Sequence, residues 1–378
     1  MNRITIFFAA FCFLLAGTMK SAAVLATNDA GRTAIALEVL SRMKGMDLEA
    51  KPSLKSAVMK VLESTRGTTN FVKIVQDFKL KDQNPGLFEV AVKNPAEETG
   101  VEAMRMILAS RDLKLVTEGL TGTNVTTAVQ TAEVLGNTAD KEIVPLLLPV
   151  VMDVQRDVAV RKQAVRSLVR VQEGAAELLK MAKEDKLPND VKLTASMELN
   201  GVRWANLKAE AAKVLPLPQG RNTEPLPPVI ELLKVKGDVA RGSQVFARQE
   251  VGCINCHRIN DKGNEVGPAL SEIGTKLGRD AIYEAILDPS AGISFGFEAW
   301  QIELKSGDEP FGLIVSETAD ELTMKDTKAI VTRIKKSDIV KRQQMKTSIM
   351  PTGLQQTMST QDLIDLVEYL GSLKKAAQ

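Results

Sequence analysis

The residues with the clearest capacity for chemistry lie in one short segment. Cys253, Cys256 and His257 form a Cys-x-x-Cys-His motif, and His257 is the single histidine of the chain. Two thiols at this spacing can reach both vinyl groups of one haem, and the adjoining imidazole can bind its iron from the same turn. The motif therefore predicts one covalently attached haem c with its iron.

Three other chemistries use cysteines at this spacing. A zinc site needs about four protein ligands, and the sequence has no second cluster of Cys or His. A thioredoxin-like dithiol begins a helix in a β-α-β unit, which the flanking sequence does not indicate. A structural disulfide is open to an exported protein but does not need the adjacent histidine. The motif favours haem over these alternatives, which stay open.

The first 26 residues have the pattern of a signal peptide. Arg3 precedes an apolar run at Ile4–Leu15, and small residues lead to a cleavage site after Ala26. This run, which includes Cys12, is shorter than the roughly 20 residues that cross a bilayer. We therefore expect a periplasmic or otherwise exported protein, which meets the membrane only if the segment is retained as an anchor.

Composition and charge exclude some classes of partner. Of the 378 residues 44% are hydrophobic and only 4% aromatic, which favours packed helices over a β-sandwich. The chain has 49 basic and 47 acidic residues, and the signal segment carries two of the basic ones, Arg3 and Lys20. The exported chain would thus be balanced in charge, and we expect no nucleic acid partner.

Residues 27–214 show the spacing of amphipathic helices. Similar segments led by small residues recur along this stretch at Ala103–Leu108, Ala128–Leu135, Ala164–Val169 and Ala195–Leu199. Stacked helix pairs need such repetition, because each pair buries its apolar face only against its neighbours. The stretch resembles HEAT or armadillo-type repeats, with an irregular helical bundle as the alternative.

Proline separates this stretch from the region that carries the motif. Residues 215–230 contain five prolines, which disfavour a helix because proline lacks the N–H donor. We interpret them as a linker and expect a second domain at residues 231–376.

Four features of the second domain surround the cysteine motif in the chain: Gly242–Phe246, Gly267–Leu270, Ala281–Ser290, and Leu366 with Tyr369. With these features the domain resembles class I cytochrome c. More specifically, residues 237–375 are similar to the haem-binding domain found widely in planctomycete and verrucomicrobial proteins. The resemblance implies that the helix of Gly242 crosses the last helix, and that the carbonyl of Pro268 accepts a hydrogen bond from His257 and orients its ring.

The second axial ligand cannot be a histidine of this chain, so methionine, lysine, water and an open site remain. Met350 lies in a loop just before the last predicted helix. The family and class I cytochromes place the distal ligand at this point, so the resemblance implies that Met350 binds the iron opposite His257. Met345 and Met358 are the nearest substitutes.

The segment between the motif and Met350 is longer than in small cytochromes. Short apolar-rich runs with intervening turns predict a four-stranded antiparallel meander at residues 298–335, which matches the insertion of the planctomycete-type domain. Ser359 and Asp362 then resemble the capping box of a final helix. The predicted fold is mainly α: a HEAT-like α-solenoid, followed by a cytochrome c-like helical domain with a small antiparallel β insertion.

These features predict an exported mono-haem c-type cytochrome that acts in electron transfer. Iron with His and Met ligands has no vacant position for a substrate. The helical repeats would be a docking scaffold for a redox partner: a dehydrogenase, an oxidase or another cytochrome. We expect a non-catalytic protein or the electron-transfer subunit of a dehydrogenase. The alternatives are a peroxidase-like enzyme with an open iron site, and a repeat-based interaction protein with a haem sensor domain.

Overall fold

The computed structural model describes residue 31 and residues 33–217, 226–248 and 251–375. The predicted signal segment, residues 1–26, lies outside the described residues, and so does the stretch 218–225 of the predicted linker. The described chain divides into two compact units. The first ends at Lys93 and also takes in Glu102–Leu115, and the second comprises Asn94–Val101 and the chain from Val116 onward.

Helices account for most of the described residues up to residue 217. Residues 33–42 are helical, and the following helices are α1 (Pro52–Ser64), α2 (Thr69–Asp77), α3 (Asn84–Lys93), α4 (Glu98–Ser110), α5 (Lys114–Thr121), α6 (Val125–Thr138), α7 (Val144–Met152), α8 (Val158–Leu168), α9 (Gln172–Lys183), α10 (Asn189–Asn200) and α11 (Ala205–Val214). The four repeated segments lie in α4, α6, α8 and α10, except that Val169 follows the last residue of α8, so their predicted helices are confirmed. Within the described residues, no helix is long and apolar enough to span a bilayer.

In the first unit, α2 and α3 pack closely. Phe71, Val75 and Val90 are buried, and a Cβ added at Gly86 would lie 2.2 Å from the ring of Phe71. This unit has its own apolar core.

In the second unit, α8 packs against both α6 and α10. A Cβ at Gly136 would lie 2.5 Å from Ser167, so a glycine permits the close approach of α6 and α8. Arg161 is 1% exposed, donates from Nε to the carbonyl of Val151 at 3.0 Å and pairs with Asp190. Successive stacking of this kind agrees with helical repeats, while their HEAT-like classification stays a prediction.

The region around the cysteine motif is built on two crossing helices. Its helices are α12 (Val229–Leu232), α13 (Val239–Ala247), α14 (Ile273–Lys276), α15 (Arg279–Leu287) and α16 (Thr360–Ser372). A Cβ at Gly242 of α13 would lie 2.0 Å from the carbonyl oxygen of Asp365 in α16. Phe246 packs on Tyr369 with ring centroids 6.2 Å apart. The crossing of α13 and α16 that the resemblance implied is therefore present.

Polar contacts fix the start of α16. The Ser359 hydroxyl accepts from the backbone N–H of Asp362, whose carboxylate accepts from the N–H of Ser359, so the predicted capping box is confirmed. Arg248, just after α13, pairs with Asp362 at 2.6 Å. The carboxylate of Asp365, only 2% exposed, accepts from the N–H of Asp238 at 2.8 Å.

The insertion forms one antiparallel sheet. Its strands are β1 (Ala299–Leu304), β2 (Phe311–Glu317), β3 (Glu321–Lys325), β4 (Val331–Lys335) and β5 (Ile339–Gln344), in the order β4-β3-β2-β1-β5. Residues 299–335 thus contain the four predicted strands in consecutive antiparallel pairing. Ile302, Leu322, Met324 and Ile334 form its small core.

The fifth strand corrects the prediction that the sheet ends at residue 335. β5 pairs with the free edge of β1, from Trp300 opposite Gln344 to Leu304 opposite Ile339. The turn Lys336–Asp338 leads the chain to this other edge. Most of β5 is exposed and its polar sequence has no alternation, so pairing with β1, rather than an apolar pattern, makes it a strand.

Candidate functional site

The cysteine motif follows α13 through a tight turn. Gly252 has φ +80°, a left-handed conformation that favours glycine, and a short 3₁₀ turn begins at Cys253. The N–H groups of Cys256 and His257 both donate to the carbonyl of Cys253, at 3.2 and 3.0 Å. The turn therefore carries both thiols and the imidazole on one compact segment. Both cysteines are unpaired and half-buried.

The loop after the motif closes over the imidazole. The N–H groups of Val266 and Gly267 donate to the carbonyl of Cys256 at 2.9 and 2.8 Å. Nδ1 of His257 donates to the carbonyl of Pro268 at 2.8 Å. A Cβ at Gly267 would lie 2.4 Å from Cε1 of His257, so this glycine lets the loop lie against the ring. The ring is thus held through Nδ1, and Nε2 is left for a ligand.

The protonation states of these groups follow from burial. Burial lowers the pKa of His257, although its hydrogen bond to Pro268 works in the opposite direction. Burial raises the pKa of Cys253 to about 11, and it raises the pKa of Cys256 despite the nearby charge of Lys328. Burial therefore favours the neutral imidazole and the protonated thiols. A thioredoxin-like dithiol needs the opposite, a lowered thiol pKa.

The three methionines near the last helix occupy different environments. Met350 is half-buried and packs against the same apolar cluster as Cys253 and Ile254. Met345 continues the sheet, since its N–H donates to the carbonyl of Ala299 at 2.8 Å. Met358 is fully buried in the core. Of these three side chains, Met358 is fully enclosed, Met345 and Met350 are half-buried, and Met350 is the half-buried one that packs on the domain core.

Where β3 ends and the turn to β4 begins, the sheet contacts the loop that follows the motif. Nζ of Lys325 donates to the carbonyl of Glu265 at 2.9 Å, within the loop that covers His257. Glu265 itself pairs with Arg258 at 2.8 Å. This contact was not predicted, because nothing in the strand pattern indicates which surface the turn touches.

The same turn also contacts the helical region of the second unit. Arg170, which follows α8, forms an ion pair with Asp326. At a second point, Arg203 donates to the carbonyl of Glu309 at 2.7 Å and lies over the ring of Phe311, 5.1 Å from its centroid. The insertion therefore connects the helical region to the cysteine motif. The sequence could not predict these contacts, because single arginines and aspartates form no recognisable pattern.

A comparison with protein families covers this region. Residues 239–332 match the family model described as Cytochrome c. This part of the chain is a cytochrome c domain. The match covers about a quarter of the 378 residues and ends before Met350 and α16. No curated protein matches the chain.

A cytochrome c domain implies covalently bound haem c with its iron, so residues 239–332 are the haem-binding part of the chain. The residues present fit this group. Two unpaired thiols lie on the same short turn as an imidazole that is held through Nδ1. Half-buried apolar side chains pack on the same domain core as Cys253: Ile254, Leu270, Ile273 and Met350.

Proposed function

We propose that this protein is an exported electron-transfer protein. In this proposal Cys253 and Cys256 attach one haem c, and His257 and Met350 are its axial ligands. The observation that carries the proposal is the hydrogen bond from Nδ1 of His257 to Pro268. It selects the tautomer and orientation in which Nε2 faces a ligand, and it makes the imidazole a stronger donor.

Met350 is preferred as the second ligand on the basis of its surroundings. A ligand to a large planar group must line a cleft before that group is bound, and so must be partly exposed. Met350 is partly exposed and packs on the same core cluster as Cys253, whereas Met358 is 0% exposed. Of the described methionines, Met350 is among the side chains that pack on the domain core and Met345 is not.

The protein's residues would make the haem an electron carrier rather than a reaction centre. Haem c supplies one-electron oxidation and reduction. Met350 would close the second axial position, so no substrate could bind the iron, and its thioether would favour reduced iron and raise the potential. His257 would keep its orientation through Pro268. The apolar residues around both ligands would exclude water.

The helical region would then be a docking scaffold. The contacts of Arg170 with Asp326 and of Arg203 with Glu309 tie it to the insertion. A redox partner bound on the helices would thereby be held at a defined position relative to the haem. A dehydrogenase, an oxidase or another cytochrome suits this role, and transient redox contacts are characteristically small. Export rests on the signal-like residues 1–26.

The test is the optical spectrum of the full chain matured with haem, for the parent and for Met350→Ala. We expect the oxidised parent to show the long-wavelength sulfur-to-iron band and the reduced parent to be unchanged by carbon monoxide. Met350→Ala should lose the band, bind carbon monoxide and have a lower potential, because the thioether is absent.

Three outcomes would contradict the proposal in different ways. An unchanged Met350→Ala spectrum would assign the distal ligand to another residue. A parent that binds carbon monoxide would have an open iron site, and peroxide turnover would then identify it as an enzyme. A chain whose mass shows no attached haem would refute attachment at Cys253 and Cys256.

A further inference from the structure

The loop that carries Met350 has little structure of its own. It lies between the end of β5 at Gln344 and the 3₁₀ turn that begins at Leu354. Among the described residues, none in the range 346–352 takes part in a backbone–backbone hydrogen bond. A loop without such bonds must be fixed by side chains if it is to hold a side chain in one place.

Two serine hydroxyls supply what the backbone lacks. The N–H of Met350 donates to Oγ of Ser348 at 3.1 Å. The N–H of Ser348 donates in turn to Oγ of Ser290, also at 3.1 Å. Ser290 is 58 residues away in sequence from Ser348, so this second bond fastens the loop to a different part of the domain.

Ser290 is a firm point of attachment. It follows α15, whose residues Ile282, Tyr283 and Ile286 are buried in the domain core. Pro289 is buried, and the N–H of Ser290 donates to the carboxylate of Asp288 at 3.2 Å. Ser290, itself half-buried, therefore directly follows a helix and a proline that are anchored in the core.

We propose that Ser290 is the positioning residue for Met350: through Ser348 it holds the methionine loop in the position from which the thioether binds iron. This inference rests on the proposed ligation by Met350 and gives a role to the Asp288-Pro289-Ser290 segment. Without the Ser290 hydroxyl, the N–H of Ser348 has no partner and the loop opens more often. The Met350 side chain would then leave the iron more often, while His257 and the covalent links of Cys253 and Cys256 to the haem would be unaffected.

The experiment measures how often Met350 leaves the iron. Imidazole is added to the oxidised, haem-loaded full chain, and the rate of its binding at saturating concentration reports the release of the native ligand. For Ser290→Ala we expect a rise of roughly fivefold to tenfold, the change produced by loss of about one hydrogen bond. Ser290→Thr keeps the hydroxyl and should bind imidazole at the parent rate.

Ser271→Ala is a matched control. The Ser271 hydroxyl, also half-buried, accepts from the backbone N–H of Asn260 at 2.7 Å and lies outside the methionine loop. A general loosening of the domain would accelerate imidazole binding in both alanine variants, whereas a positioning role for Ser290 accelerates it only in Ser290→Ala. Equal acceleration in both would overturn the proposal.

The remaining outcomes separate this inference from the proposed function. If the parent resists carbon monoxide and Met350→Ala binds it, but Ser290→Ala binds imidazole within twofold of the parent, Met350 is the ligand and Ser290 does not position it. If the parent binds carbon monoxide as readily as Met350→Ala, both proposals fail. If Ser290→Ala does not mature, Ser348→Ala replaces it. This variant removes the hydroxyl that accepts from the N–H of Met350, and it must accelerate imidazole binding by at least roughly fivefold.

Discussion

The close approach of Gly267 to the His257 ring leads to a specific prediction for Gly267→Ala. The added Cβ would lie 2.4 Å from Cε1 and 2.8 Å from Nδ1 of His257, whereas an ordinary contact begins at 3.4 Å. The ring must therefore move by about 1 Å. Because Pro268 adjoins Gly267, a ring pushed away from the new methyl group also moves away from the Pro268 carbonyl, which now accepts at 2.8 Å.

The cost has two parts. Overpacking of a fitted site costs about 1–3 kcal/mol, and a broken hydrogen bond adds about 1 kcal/mol, so the free energy of unfolding should fall by about 2–4 kcal/mol. The assay is guanidinium chloride denaturation of the haem-loaded full chain, followed by haem absorbance. This signal reports on the cytochrome c domain itself. The long-wavelength sulfur-to-iron band of the oxidised spectrum should also shift, since Nε2 of His257 would be displaced.

Gly292→Ala is the control. Nothing lies within 4 Å of a Cβ at Gly292, and its φ is not positive, so this variant should be as stable as the parent or slightly more stable. If the free energies of unfolding of the two variants differ by less than about 0.5 kcal/mol, Gly267 does not hold the loop against the ring. Our account of the His257 geometry is then wrong.

Two further predictions concern the α13–α16 crossing. Gly242→Ala should destabilise the domain by about 3 kcal/mol or more in the same assay, because its Cβ would lie 2.0 Å from the backbone oxygen of Asp365; stability equal to that of Gly292→Ala would contradict this. Partial burial opposes ionisation of Asp362, but bonds from Arg248 and Ser359 prevail and lower its pKa to about 2. In the unfolded chain the pKa of an aspartate is about 4. The stabilisation that ionised Asp362 contributes is therefore complete above pH 4 and is lost as the pH falls to 2. Asp362→Asn should therefore be less stable by about 1 kcal/mol at pH 7, with the difference shrinking between pH 4 and 2; a constant difference would refute the ionised cap.

Much of the cytochrome c domain could be predicted from local sequence. The haem motif is contained in five residues, and its ligand spacing depends on a single turn. The capping box of α16 is equally local, since Ser359 and Asp362 are three residues apart. Short apolar runs between turns predicted the first four strands. Each of these features depends on neighbours in the chain, so pattern and spacing suffice to find it.

The fifth strand could not be found in this way. β5 is polar and mostly exposed, and an edge strand of this kind is recognised only by the partner that it pairs with. β1 provides that partner because its second edge is free. The meander was therefore predicted one strand short.

The sequence by itself determined which groups could do the chemistry: two thiols, one imidazole, and a few methionines near the last helix. Tertiary structure decided what fixes them in place. It enclosed Met358, left Met350 partly exposed, and brought Ser290 to a loop 58 residues away. It likewise joined Arg170 to Asp326 across 156 residues. The physical reason is that a single hydrogen bond or ion pair between distant segments leaves no periodic pattern in the chain, and forms only where packed helices and strands carry both partners to the same point.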